Sequence, residues 1–175
     1  MKNKPSPVLT AIFVGGLVAG TVDIGAASLI NLINPVIILH AIASGLLGKQ
    51  SFEDGPWAAF LGLILQWGMG LLIAAIYVTA ARRLEWMTRM WVKAGLAYGV
   101  VIYAVMNYIV VPMSAARPGW NFAIKLKLPQ NAEDMIAMIV FGLTISFVTR
   151  HFLTQTSSRG DADIERAGRA SGLGQ

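Results

Sequence analysis

The stretch VLTAIFVGGLVAGTVDIGAASLI, residues 8–30, decides the fold of this chain. An apolar run of this length can cross a bilayer as a helix, which requires about 20 residues. Asp23 lies within it and is the only charged residue in the interior of any apolar run of the sequence. A charged side chain near the centre of a bilayer costs about 2.5–3.5 kcal/mol. Asp23 is therefore the first candidate for a functional residue.

The composition is that of a membrane protein. Of the 175 residues, 55% are hydrophobic and 13% are charged, whereas a soluble domain carries about 25% charged residues. The formal net charge is +5, but the basic residues flank the apolar runs and do not cluster in a polar domain. We therefore expect the lipid bilayer as a partner and no nucleic acid.

Three further segments, 57–81, 94–115 and 133–152, are also long and apolar enough to cross a bilayer. A backbone in hydrocarbon must satisfy its own hydrogen bonds, so each segment is predicted to be helical. The sequence thus predicts an all-α integral membrane bundle of four transmembrane helices within residues 1–153. Residues 154–175 are rich in Ser, Gly, Ala, Arg and Asp, a composition that predicts a disordered cytoplasmic tail.

Between the first two spans lies PVIILHAIASGLLG, residues 35–48. It is too short to cross the bilayer and too apolar for a loop, so it predicts a short interfacial or re-entrant helix. His40, Ser44 and Gly48 recur every four residues and would form a narrow polar stripe on this helix. His40 and Ser44 are therefore weaker candidate site residues.

The distribution of basic residues predicts the orientation. Ten Lys and Arg residues lie on the side of the two termini and of the second connection, and four lie on the opposite side. By the positive-inside rule both termini are cytoplasmic. The basic N-terminus is a feature of signal peptides, but the length of the first apolar run and the presence of Asp23 in its later part favour an uncleaved first span.

Asp23, Gln66 and Asn107 are the polar residues of interest inside the first three spans. With a helical rise of about 1.5 Å per residue, all three lie about 4–6 Å to the outer side of the midplane. We therefore predict that they meet in one polar layer. Thr21 and Thr144 are weaker candidates, and Thr144 is predicted slightly to the inner side of the midplane.

Three interpretations of this layer stay open. Amide and carboxyl side chains hydrogen-bond membrane helices to one another, which would make the layer structural. Burial disfavours the ionised form of a carboxylate, so Asp23 could instead be a protonatable group of a proton relay or an ion-coupled carrier. The layer could also be a recognition element for a partner subunit.

Two small-residue motifs predict close helix contacts. Gly16 and Gly20 lie four residues apart in the first span, as do Gly95 and Gly99 in the third. This spacing lets two helix backbones approach closely. Asp23 shares a helical face with Gly16 and Gly20, so its side chain is predicted to face protein and not lipid.

The sequence argues against several classes of chemistry. It has no cysteine, which excludes disulfides, thiolate catalysis and iron–sulfur ligation. His40 and His151 fall on opposite sides of the predicted membrane, so neither a shared metal site nor bis-histidine haem is expected. No serine has a His and an Asp placed for a catalytic triad. We expect no catalytic residue, no cofactor and no metal, and hence a protein that is not an enzyme.

The sequence resembles the YagU-like group of small bacterial inner-membrane proteins. The residues that carry the resemblance are Gly20-Thr21-x-Asp23, the run IASGLLG at 42–48, and the stretch 103–115 with Asn107 and Pro112-Met113-Ser114. The resemblance implies a bacterial plasma membrane and a four-span bundle over about residues 10–150. It implies no established activity and therefore no catalytic residue.

Two functions follow as hypotheses. The first is a structural or accessory membrane protein that uses the polar layer for packing. The second is a proton-linked small-solute carrier with Asp23 as its protonation site. Four-span carriers of the small multidrug type also carry an acidic residue in the first span, but the long first connection with its extra helix departs from their pattern. Because four spans leave little room for a pathway within one monomer, a homodimer or a membrane partner subunit is expected.

Overall fold

The structure is a computed structural model that describes residues 6–115 and 128–172. Four of its helices are long and apolar enough to cross a membrane, which is compatible with a multi-pass membrane protein. These candidate spans are Pro7–Ile30, Pro56–Arg83, Trp91–Met113 and Ala132–Thr154. They match the four predicted spans closely and confirm the all-α fold class.

The helices follow one another in simple up-and-down order, with short connections between the first five. In chain order they are α1 (Pro7–Asn31), α2 (Pro35–Leu47), a 3-10 turn (Gly48–Phe52), α3 (Pro56–Arg83), α4 (Glu85–Arg89), α5 (Trp91–Val105), a π-helical segment (Met106–Val110), α6 (Val111–Met113) and α7 (Leu128–Gly172).

The corner between α1 and α2 is built from local sequence signals. Leu32 ends α1 in the left-handed conformation, with φ of 52°, and its N–H donates to the Ser28 carbonyl. Asn34 then caps α2, because its Oδ1 accepts from Val36 N at 2.9 Å. Pro35 occupies the first turn of α2, where its missing N–H costs no helical hydrogen bond. The predicted short helix is therefore present.

The third span changes to π-helical winding over Met106–Val110. Pro112 follows directly in α6, and a proline ring clashes with the carbonyl four residues earlier, here that of Tyr108. The wider winding moves the backbone away from this clash. The N–H of Val111 donates five residues back, to the Met106 carbonyl. Segments of this kind are frequent at functional sites.

The bundle has α1 and α7 at its centre. Helix α1 packs against both α3 and α7, and α7 packs against both α1 and α5. The side-to-side order is therefore α3, α1, α7, α5. The buried core between them includes Ala19, Tyr77, Ile102, Phe141 and Ile145.

Glycines permit the closest helix contacts, as the two motifs predict. A Cβ on Gly16 of α1 would lie 2.7 Å from Leu71 Cα of α3. A Cβ on Gly99 of α5 would lie equally close, at 2.7 Å, to Ile139 Cα of α7. Real Cβ atoms do not approach backbone atoms this closely, so both contacts require glycine.

Helix α2 is held at both of its ends. Near its start, the backbone of Leu39 lies directly against Gly62 of α3. Near its end, Ala115 N donates to the Gly45 carbonyl at 2.9 Å. The short helix therefore links the beginning of the second span to the end of the third. Its interfacial or re-entrant placement in a bilayer stays a prediction.

The last helix differs from the sequence prediction. Helix α7 continues to Gly172, through the stretch for which we predicted a disordered tail. No proline interrupts residues 154–172, and Ala, Glu and Arg in this stretch are good helix formers. The prediction rested on the lack of apolar residues to bury, which does not prevent helical continuation from a stable span.

The two ends of the bundle carry opposite charge in the part of the chain whose side chains are described. The end where α3 finishes and α5 begins carries Arg82, Arg83, Arg89, Lys93 and Arg150 with only Glu85 among them; we call it the basic end. The opposite end carries Glu53, Asp54, Glu133 and Asp134 with Lys49; we call it the acidic end.

Candidate functional site

The structure brings Asp23 and Gln66 together. Gln66 Nε2 donates to Asp23 Oδ2 at 2.7 Å, across the interface between α1 and α3. The same nitrogen also lies 3.4 Å from the Gly20 carbonyl, which accepts its second hydrogen. A Cβ on Gly20 would lie 3.5 Å from the Gln66 carbonyl oxygen, which is an ordinary contact, so the close approach of α3 depends on Gly16 one turn earlier and not on Gly20. This pair is the most specific polar contact between the first two spans.

Asp23 uses only part of its hydrogen-bonding capacity. Its Oδ1 is buried and has no partner among the described residues. A carboxylate oxygen accepts hydrogen bonds, and a protonated one can also donate. An unsatisfied buried polar atom is uncommon and calls for an explanation, such as a proton, a water or a ligand.

A second carboxylate acts on this site. Asp134, in the first turns of the fourth span, lies close enough to Asp23 to interact with it electrostatically. It also interacts with Tyr103 of α5. Asp134 is exposed, whereas Asp23 is largely covered by protein. Asp134 therefore adds negative charge near Asp23 from the acidic end of the bundle.

Asn107 does not complete the predicted layer. Its Nδ2 donates to the Tyr103 carbonyl of its own helix at 3.1 Å, and it bonds to neither Asp23 nor Gln66 in the described part of the chain. The reason is the order of the helices. The third span packs against α7, which together with α1 separates it from α3 over this part of the bundle. Equal depth in the bilayer was not sufficient for contact.

Of three weaker candidates, Thr21 bonds to the neighbouring helix beside the site, whereas Thr144 and Ser44 bond within their own helices. Thr21 Oγ1 accepts from Trp67 Nε1 at 3.3 Å, so it joins α1 to α3 beside the Asp23–Gln66 pair. Thr144 Oγ1 instead donates to the Val140 carbonyl of its own helix at 2.8 Å. Ser44 Oγ similarly donates to the Ala41 carbonyl. Only Thr21 belongs to the site by contact.

His40 forms a small separate cluster with the turn that follows α2. Its Nδ1 bonds to the Ser51 carbonyl, and Ser51 Oγ donates to the His40 carbonyl at 2.9 Å. The ring of Phe52 stacks on the imidazole with 6.0 Å between centroids. Because a carbonyl only accepts, Nδ1 carries a proton. These contacts fix the fold of residues 40–52, and they satisfy one ring nitrogen of His40.

Sequence reasoning missed a second polar network, which lies toward the basic end. Tyr77 of α3 and Ser146 of α7 are fully buried, and their hydroxyls are 2.7 Å apart. Ser146 Oγ donates to the Trp91 carbonyl at 2.7 Å, so Tyr77 is the donor of the first bond. Tyr98 adds a bond to the Ile73 carbonyl and a ring contact with Tyr77. The signal available was two tyrosines inside otherwise apolar spans.

This network yields a prediction for Tyr77→Phe. The change removes one hydrogen bond while keeping the ring against Tyr98. Ser146 still donates to Trp91, so only an acceptor is left unfilled, and we expect a loss of about 1 kcal/mol. The free energy of unfolding in mixed detergent–dodecyl sulfate micelles measures this loss.

Tyr108→Phe is the matched control for that measurement. Tyr108 loses the same hydroxyl group, but its side chain is exposed. We expect no change in stability for this variant. Equal effects of the two substitutions would mean that the Tyr77–Ser146 bond contributes nothing measurable to the bundle.

No group of three or more His, Asp and Glu residues able to hold a metal ion occurs among the described residues. Comparison of the chain with protein-family models, with curated proteins and with solved structures found no match. The resemblance to the YagU-like group therefore stays a prediction. The site must be interpreted from its own geometry.

Proposed function

We propose that this chain is a non-enzymatic, multi-pass protein of the bacterial inner membrane with both termini in the cytoplasm. In this proposal it serves as a structural or accessory membrane component. The Asp23–Gln66 pair holds its first two spans in register. A homodimer or a partner subunit completes the assembly.

One observation carries this proposal. The Gln66 amide donates to both the Asp23 carboxylate and the Gly20 carbonyl. An amide that bridges a side chain and a backbone carbonyl of the neighbouring helix fixes both the separation and the axial register of the two helices. The close contact at Gly16, one turn away from Gly20, constrains the same interface. Such an arrangement primarily stabilises the packing of α1 against α3.

A second candidate function rests on a different observation. Asp23 Oδ1 is buried without a partner, and the exposed Asp134 interacts with Asp23 from the acidic end. A carboxyl oxygen free to take up a proton, with a second acid toward solvent, is an arrangement that proton-linked carriers use. In this alternative the protein is a carrier of a small solute, and Asp23 is its protonation site.

Substitutions of Asp23 separate the two functions. Asn keeps the Oδ atom that accepts from Gln66 but cannot be protonated, whereas Leu removes both properties. The structural function predicts that Asp23→Asn leaves assembly and unfolding unchanged. It predicts that Asp23→Leu lowers stability by about 1–2 kcal/mol, since the amide of Gln66 loses its partner.

Two measurements on reconstituted protein decide between the outcomes. The first is the oligomeric state and unfolding free energy of both variants. The second is the infrared carboxyl band of the wild type between acid and alkaline pH, with Asp23→Asn assigning the band. A stable Asp23→Leu variant would contradict the structural function. A carboxyl band that changes between about pH 5 and pH 8 would favour the carrier, because only a water-accessible Asp23 can exchange its proton.

A further inference from the structure

The basic end of the bundle presents exposed cations from several helices on one rim. Arg82 and Arg83 close α3, Arg89 closes α4, Lys93 lies in the first turn of α5, and Arg150 lies in α7. All five are exposed, and Glu85 is the only acidic residue among the described side chains of this rim. Their positive charge is therefore largely uncompensated by the neighbouring side chains that the structure describes.

Helix α4 sets the depth of this rim. It contacts α3, α5 and α7, so it lies across the end of the bundle. Met87 is buried in the core, whereas Leu84, Trp86 and Met90 are exposed, at 44%, 47% and 47%. Exposed apolar and Trp side chains next to Arg are typical of the boundary between headgroups and hydrocarbon. In a bilayer crossed by the four candidate spans, the cations of this end would lie at headgroup level.

Arg150 is held in place by an aromatic ring. Its guanidinium carbon lies 5.8 Å from the centroid of the Trp91 ring, which is in turn packed edge-on against Phe147 at 5.6 Å. The Trp91 carbonyl accepts from the buried Ser146. Arg150 and the start of α5 therefore form a fixed unit, which leaves guanidinium N–H groups available for an anion.

From these contacts we propose that the basic end binds the phosphate headgroup of an anionic phospholipid. The positive charge of the basic end and its position at the level of the headgroups both favour this partner. Basic pockets between transmembrane helices bind anionic headgroups, and each nearby Lys or Arg strengthens membrane binding measurably. A soluble polyanion would meet the same charges but would gain nothing from exposed Trp86 and Met90. A lipid places its phosphate on the arginines and its acyl chains on those apolar side chains.

The test uses the full chain in zwitterionic detergent micelles. Brominated phosphatidylglycerol is titrated into the protein, and quenching of tryptophan fluorescence reports lipid binding. Trp86 and Trp91 at the basic end are two of the five tryptophans, and the charge variants assign the quenching to this end. We expect saturable quenching that brominated phosphatidylcholine does not reproduce at equal mole fraction. The variant Arg82→Gln/Arg83→Gln/Arg89→Gln should bind phosphatidylglycerol about 100-fold more weakly, because each of the three neutralised residues contributes about fivefold.

The control variant is Lys49→Gln/Lys125→Gln/Lys127→Gln, which makes the same change of charge at positions predicted for the opposite side. It should retain wild-type binding. Arg150→Gln replaces the triple variant if that protein does not fold by circular dichroism, with an expected loss of about fivefold. Equal loss in the control variant, equal quenching by phosphatidylcholine, or displacement of the lipid by millimolar glycerol phosphate would overturn the proposal.

Discussion

Gly142→Ala should destabilise the bundle by about 1–3 kcal/mol, although alanine is the better helix former. Gly142 lies at the contact between α7 and α5. A Cβ added there would lie 2.5 Å from the Gly95 carbonyl oxygen and 2.7 Å from Gly99 N. Both atoms belong to the backbone of α5 and cannot rotate away, so the helices must separate. Separation also weakens the bond from Ser146 to Trp91, one turn further along.

Gly68→Ala is the matched control. Gly68 is likewise inside a span, but a Cβ there would meet no atom within 4 Å. With no steric cost, only helix propensity remains, and alanine is favoured by about 0.8–1.0 kcal/mol. The two substitutions, identical in chemistry, should therefore shift the unfolding free energy in opposite directions. Parallel shifts would mean that the α5–α7 contact is looser than the structure has it.

The glycines of the close helix contacts were only partly predictable from the sequence. The pairs Gly16/Gly20 and Gly95/Gly99 were visible as motifs, and both lie in helix interfaces. Gly142, which packs against Gly95 and Gly99, has no glycine four residues away and acquires its role only from the neighbouring helix. Which helix packs against which is decided by the whole bundle, and a local pattern does not contain that information.

The candidate site, too, was only partly predictable from the sequence. Depth in the bilayer follows from counting residues along a helix, and it correctly placed Asp23 and Gln66 at one level. The same counting wrongly included Asn107, because it does not contain the lateral order of the spans. The Tyr77–Ser146 network was overlooked for a related reason. Hydroxyls are less conspicuous than amides in an apolar span, and they matter only when two of them meet.

The second large effect is expected for Gln66→Leu. This change removes the only hydrogen-bond donor to Asp23 in the described part of the chain, so both carboxyl oxygens are left without a partner. A buried polar group that loses its partner costs about 1–3 kcal/mol. The loss should exceed the average of about 0.6 kcal/mol for hydrogen bonds between membrane helices, because Asp23 cannot turn to water without disturbing the α1–α3 contact.

The double variant Asp23→Leu/Gln66→Leu tests whether the unsatisfied carboxyl group of Asp23 causes this loss of stability. With both polar groups removed nothing remains unsatisfied, and apolar replacement of a buried pair is often nearly neutral. We therefore expect the free energy of unfolding of the double variant to be higher than that of Gln66→Leu alone. In a double-mutant cycle the two residues should show a coupling energy of about 1 kcal/mol or more. If the two single changes simply add, the Asp23–Gln66 bond is not what joins the first two spans. The close contact between Gly16 and Gly70 would then hold that interface by packing alone.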